Sequence, residues 1–223
     1  MGARAWAVGG MLLAAGLAGC GGSSKSSATS TGRSSTAAQP PPTSAQAAAG
    51  AQAGAAALPG LSARVLRDGE LRGFIPQAPA VRGVTPESWV VAAEYPPSQR
   101  AGAAAEFRRL GLVAAMRERL APPSGQGAEA ISIVERFQTP AGAQSNLAAE
   151  TRLSPGESAF SVTGIPGARG FGGSSAESSG LNVAFTKGAY FYLVGVGGPK
   201  GVSLPGRPAL IAATMRLYGR VRP

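Results

Sequence analysis

Sorted by apolar positions alone, the chain falls into three segments. Residues 5–18 form an uncharged, largely apolar run behind Arg4. Fourteen residues fall short of the ~20 that span a hydrocarbon core and match the core of a signal peptide. Residues 21–57 contain only Gly, Ser, Ala, Thr, Pro and Gln apart from Lys25 and Arg33, with no aliphatic larger than Ala. Such a stretch cannot bury enough apolar surface to offset its ordering entropy, which predicts a disordered tether. From residue 58 to residue 221 large apolar side chains recur throughout, enough for one sizeable core.

In the last of these segments, helical and strand periodicities alternate. Residues 62–71 predict a short amphipathic helix or an irregular lead-in, and residues 73–76 a short extended piece, because a residue before proline is pushed away from the right-handed helical region. Thr85, Pro86 and Glu87 make a helix start: a Thr N-cap, proline at the first position and an acid in the first turn. That helix would carry Trp89, Val90 and Ala93 and stop before Pro96 and Pro97. Ser98 is expected to cap a second helix through Ala103, Phe107 and Leu110, ending at Gly111. Residues 112–120 fit either a continued helix or a strand.

Residues 128–137 read as a strand between Gly127 and Pro140. Thr139 and Pro140 open another helix, with Ala143, Leu147, Ala148 and Leu153 on one side. Residues 158–164 alternate as a strand. Residues 181–186 and 189–196 are two more, joined by a Lys187-Gly188 turn. Residues 205–218 close the chain as a helix bearing Leu210, Ile211, Thr214 and Leu217. The expected fold class is α+β, one antiparallel sheet of four to six strands with helices packed on a face. The expected division is 1–19 signal peptide, 20–57 anchor residue and tether, 58–223 folded domain.

The apolar run closes on Leu17, Ala18, Gly19 and Cys20. These four residues resemble the lipobox of bacterial lipoproteins: an aliphatic residue, two small ones, then the modified cysteine. The resemblance implies cleavage between Gly19 and Cys20 and a lipid on Cys20, placing the rest on the outer face of the cytoplasmic membrane. A single acyl chain binds marginally, whereas two or three anchor stably. The order of elements in residues 58–223, including the helix opened by Thr139, Pro140 and Ala141, resembles small exported actinobacterial domains. These include the extracellular sensor domains of PknH-type kinases and the LpqN-like, PsbP/Mog1-like lipoproteins.

Composition then removes chemistries. The chain has 1 Cys and no His, which excludes Ser-His-Asp triads, Cys-His pairs, imidazole ligands and zinc ribbons. Residues 164–173 and 195–201 are glycine-dense but match no phosphate-binding motif; the second stretch reads as a loop after a strand. Isolated acids argue against a calcium loop. No metal and no cofactor are expected. Glu129, Glu135, Glu157 and Glu177 are the carboxylates a glycan hydrolase would need, and each reads first as solvated surface.

The aromatic run at 190–192 is the densest feature, with Tyr190 and Tyr192 on one strand face and Phe191 on the other. It predicts either ordinary core or an aromatic wall, over which residues 165–171 would fold to bring Phe171 and the anion anchor Arg169. Tyr190, Tyr192, Phe171 and Arg169 are therefore the candidate ligand-binding residues. From residue 58 onward 18 cations face 11 acids. On an exported chain this excess points to anionic headgroups or wall polymers, not to nucleic acid. The expected function is a non-enzymatic, monomeric, lipid-anchored domain binding a small apolar or anionic ligand, a lipid or an envelope protein. A glutamate-based envelope glycan hydrolase and a structural partner in an envelope complex are the alternatives.

Overall fold

Every described α-helix carries a proline in its first two positions, where the missing amide would lack a partner anyway. The computed structural model describes residues 60–125 and 127–223; the signal-peptide, Cys20 and tether expectations lie outside them. A 3-10 turn (Ser62–Arg64) precedes β1 (Ile75–Gly83), α1 (Pro86–Ala92), α2 (Pro97–Leu110), β2 (Leu112–Ala121), β3 (Glu129–Phe137) and α3 (Pro140–Glu150). Then follow β4 (Glu157–Phe160), β5 (Arg169–Ser174), β6 (Ser178–Lys187), β7 (Tyr190–Pro199) and α4 (Arg207–Arg220). Thr85 caps α1 with Ser88 in a reciprocal capping box, and Thr139 caps α3 by accepting from the Gly142 amide at 3.1 Å. Pro96, not Ser98, stands at the N-cap of α2, and no side chain caps that helix.

The strands form one sheet in the order β1-β2-β3-β7-β6-β5-β4, each neighbouring pair antiparallel. The class is α+β as expected, but among the described residues the sheet has seven strands rather than four to six. Three segments account for the excess. The extended piece at 73–76 runs on to Gly83 as an edge strand, where Pro76 is tolerated. The ambiguous segment after Gly111 is strand β2. Glycine-dense residues 169–174 pair as β5 instead of looping. Their glycines answer to crowding: a Cβ on Gly170 would sit 2.3 Å from the Phe160 ring.

Other boundaries moved as well. β7 continues through Gly195, Gly197 and Gly198, which pair with β6. Lys187 pairs with Tyr190, so the hairpin turn is Gly188-Ala189, one residue later than expected. α3 stops at Glu150, leaving Ala148 exposed and Leu153 48% exposed, outside the core they were expected to join.

Two apolar layers cover the sheet. Trp89, Phe107, Leu147, Ile133, Phe191 and Phe171 belong to the layer under α1, α2 and α3. Leu61, Leu66, Phe185, Tyr192, Leu210 and Leu217 belong to the opposite layer, under α4 and residues 61–74. Among the described residues, the strand partners and both layers come from residues 61–221, which together form a closed core.

Candidate functional site

On β3, alternation places Ile131, Ile133, Glu135 and Phe137 on one face. Three of these are apolar and join the α1–α3 layer; the fourth is a carboxylate only 4% exposed. Glu135 was expected on the solvated surface, and its strand register buries it instead. Its Oε1 accepts from Trp89 Nε1 on α1 at 2.7 Å, and its Oε2 from Asn146 Nδ2 on α3 at 2.6 Å. Burial pushes its pKa up to about 8, reinforced by Glu150 and opposed by the two hydrogen bonds. Glu135 therefore ties two helices to the central strands. The other three acids are dispersed: Glu129 starts β3, Glu157 starts β4, and Glu177 lies exposed before β6.

Asn146 has a second role. It lines a cleft of about 610 Å³ between α2 and α3. Both walls are built from small residues, Gly102 and Ala103 on α2 and Ser145, Ala148 and Ala149 on α3, which keep the helices from filling the space. Near the base, the N-terminus of α3 closes tightly on the end of α2. A Cβ on Gly142 would lie 2.3 Å from the Leu110 carbonyl oxygen. Tyr95 and Phe107, packed edge to face at 6.1 Å, supply the aromatic floor. Tyr95 is buried, and its hydroxyl pKa is raised by burial and by Glu150 and Glu135. Gln99 Oε1 is buried at the cleft with no hydrogen-bond partner. Arg109 forks onto Glu106 at 2.8 and 2.6 Å, holding that carboxyl below its usual range; Arg152 stands on the same rim.

The four residues singled out in the sequence divide between the two faces. Tyr192 is fully buried, stacked on Phe185 at 4.6 Å, and its hydroxyl accepts from Arg64 at 2.7 Å. The Arg64 guanidinium lies 3.8 Å from the Tyr190 ring centre, so that face is packed and not hollow. Phe171 is buried in the opposite layer. Arg169 and Phe171 line a second cleft of about 330 Å³ at the β4–β5 edge, with Thr151, Leu153 and Phe160. The structure thus pairs Tyr190 with Tyr192 and Arg169 with Phe171, without uniting the pairs.

The α2–α3 cleft itself was not anticipated. One signal was present, a lone acid on the apolar face of an alternating strand. Among the described residues no group of three or more Cys, Asp or Glu converges to hold a metal ion, and no helix is long and apolar enough to cross a membrane.

No family model matches the chain, and no curated protein matches it. Among solved structures it is similar to the extracellular domain of PknH from Mycobacterium tuberculosis, at 13% identity and a TM-score of 0.44, over 71% of this chain and 94% of that one.

Proposed function

We propose that this protein is a lipid-anchored, extracytoplasmic binding domain that holds a small polar ligand in the α2–α3 cleft and does no chemistry on it. The observation that carries this reading is the cleft itself: small-residue walls over buried polar groups, with Gln99 Oε1 unpartnered. A few convergent polar groups in a concave site are what orient a small ligand. The mixed rim, Glu106 with Arg109 and then Glu150 with Arg152, suits a zwitterionic or neutral polar molecule better than an apolar one. Catalysis by paired carboxylates gains no support here. Glu135, the acid held protonated near neutral pH, does not line the cleft and gives both oxygens to Trp89 and Asn146. Anchoring rests on the sequence of residues 1–20, with Gly19 and Cys20 at the cleavage point.

The test is a titration of residues 58–223 with free amino acids, dipeptides and N-acetylated sugars, followed through the side-chain amide signals of Gln99 and Asn146. A panel member should shift both, and Ala103→Trp, which obstructs the cleft beside Gln99, should abolish the shift. Binding that leaves both amides unmoved, or no binding across the panel, overturns the reading.

A further inference from the structure

Charge is divided unevenly between the two sides of the sheet. Residues 61–72 and 205–223 cover one side and hold seven arginines against two acids, Asp68 and Glu70. The fold draws them together. Arg220 pairs with Glu70 at 2.8 Å and reaches the Val65 carbonyl at 2.8 Å. Arg216 donates to the Glu70 carbonyl at 2.7 Å, and Arg64 to the Arg222 carbonyl at 2.6 Å. Lys187 joins from the hairpin, donating to the Tyr218 carbonyl at 2.9 Å. Apart from Arg220, whose charge Glu70 meets, these cations are oriented by carbonyl oxygens, which do not cancel their charge.

The helical side opposite is different, because four of its arginines meet carboxylates. Arg108 pairs with Glu87, Arg109 with Glu106, and Arg117 and Arg119 share Glu94.

Position adds a second line of support. The chain enters the described fold at Gly60 and Leu61, and Leu61 is buried in the layer under α4. The segment that leads back to Cys20 therefore joins the fold on the basic side, while the α2–α3 cleft opens on the other.

We propose that the α4 side, presenting Arg67, Arg72, Arg216 and Arg222, docks on an anionic lipid surface and turns the cleft away from it. Exposed cations within a Debye length of a negative bilayer add their attractions and are weakened by salt. The inference draws on the lipid-anchored reading only for the nearness of a membrane. Residues 58–223 lack Cys20, so the test below succeeds or fails whatever becomes of lipidation.

The experiment measures partitioning of residues 58–223 onto phosphatidylcholine vesicles with and without phosphatidylglycerol. Binding should require phosphatidylglycerol and fall steeply in 0.5 M salt, taken as roughly three times physiological ionic strength. The triple variant Arg67→Ser, Arg72→Ser, Arg222→Ser should bind about ten-fold or more weakly. The control Arg100→Ser, Arg108→Ser, Arg119→Ser, all on the helical side, changes net charge equally and should bind nearly as the parent does. Unchanged Trp89 emission reports intact folding, and Arg67→Ser alone gives a smaller loss should the triple variant not fold. Three results overturn the proposal: no preference for phosphatidylglycerol, an equal loss in the control, or binding to soluble teichoic acid with none to vesicles.

Discussion

Raising the pH from 5 to 9 should destabilise the fold chiefly through one residue, Glu135. Glu135 has an ordinary pKa of 4.5 and a folded value of about 8. The sign follows from which state keeps the proton. Below 4.5 both states are protonated, and the full stability is present. Between 4.5 and 8 the unfolded chain has released the proton and the folded one retains it, so stability falls as pH rises. Above about 8 both are ionised and the loss is complete. At ~1.4 kcal/mol per pH unit, the interval is worth roughly 4–5 kcal/mol, a large share of the ~5–15 kcal/mol that stabilises a typical domain.

The window is unusually clean because the chain has no His. Glu118, also raised by burial, adds in the same direction, while Tyr95 and Tyr192, raised by burial, act only above pH 10. Urea unfolding of residues 58–223, followed by Trp89, the one tryptophan beyond residue 6, measures the slope directly. Glu135→Gln keeps the shape and removes the charge. Its stability should be nearly flat from pH 5 to 8, below the parent at pH 5 by ~1–3 kcal/mol because an amide cannot accept both hydrogen bonds. At pH 9 it should equal or exceed the parent. Glu150→Gln removes a charge that raises Glu135, so the fall should end at a lower pH and its total should shrink. A parent whose stability holds or rises between pH 5 and 8, or a Gln variant with the same slope, would refute the assignment of a neutral buried acid.

Two glycines on helices should respond in opposite directions to the same change. Gly142→Ala forces a methyl group 2.3 Å from the Leu110 carbonyl oxygen; a cost of ~1–3 kcal/mol is expected, or roughly 2–10 °C in Tm by differential scanning calorimetry. Gly219→Ala on α4 meets nothing within 4 Å and should stabilise by ~0.5–1 kcal/mol through the helix propensity of alanine. A neutral Gly142→Ala would mean that α2 and α3 are not held so closely. Farther up the chain, Cys20→Ala should abolish labelling by radioactive palmitate in cells and release the protein from membranes or leave it unprocessed; undiminished labelling in that variant would end the lipoprotein reading.

Local chemistry made most elements legible. Thr85-Pro86 and Thr139-Pro140 start helices where written, since capping and proline geometry act within one turn. The 181–196 hairpin was visible because alternation needs no distant partner, although its turn slipped by one residue. Strand β5 was not visible. Gly170, Gly172 and Gly173 carry no strand propensity, and only their pairing with the flanking strands β4 and β6 makes them a strand. Residues 112–121 could not be resolved either, because their apolar run satisfies both periods until β1 and β3 flank it. The aromatic run announced itself by density, yet density also marks a core, and Tyr192 proved to be core. What the cleft required was a vacancy, created by small side chains on two helices some forty residues apart, and a vacancy leaves no residue to read.

Glu135 links what was legible to what was not. A carboxylate on the apolar face of a central strand costs several kcal/mol unless paired or neutralised. The fold answers with two donors, Trp89 and Asn146, and with a retained proton. One donor belongs to α1. The other belongs to α3 and lines the cleft. An apolar residue at 135 would pack the layer more cheaply but would take from the Asn146 amide and the Trp89 indole the acceptor they share. The buried acid therefore fixes the rotamer of a cleft residue from behind, and the wall it steadies is the one facing Gln99 and Tyr95. On this account the stability cost of Glu135 above pH 5 and the order of the α2–α3 cleft have a common origin in a single side chain.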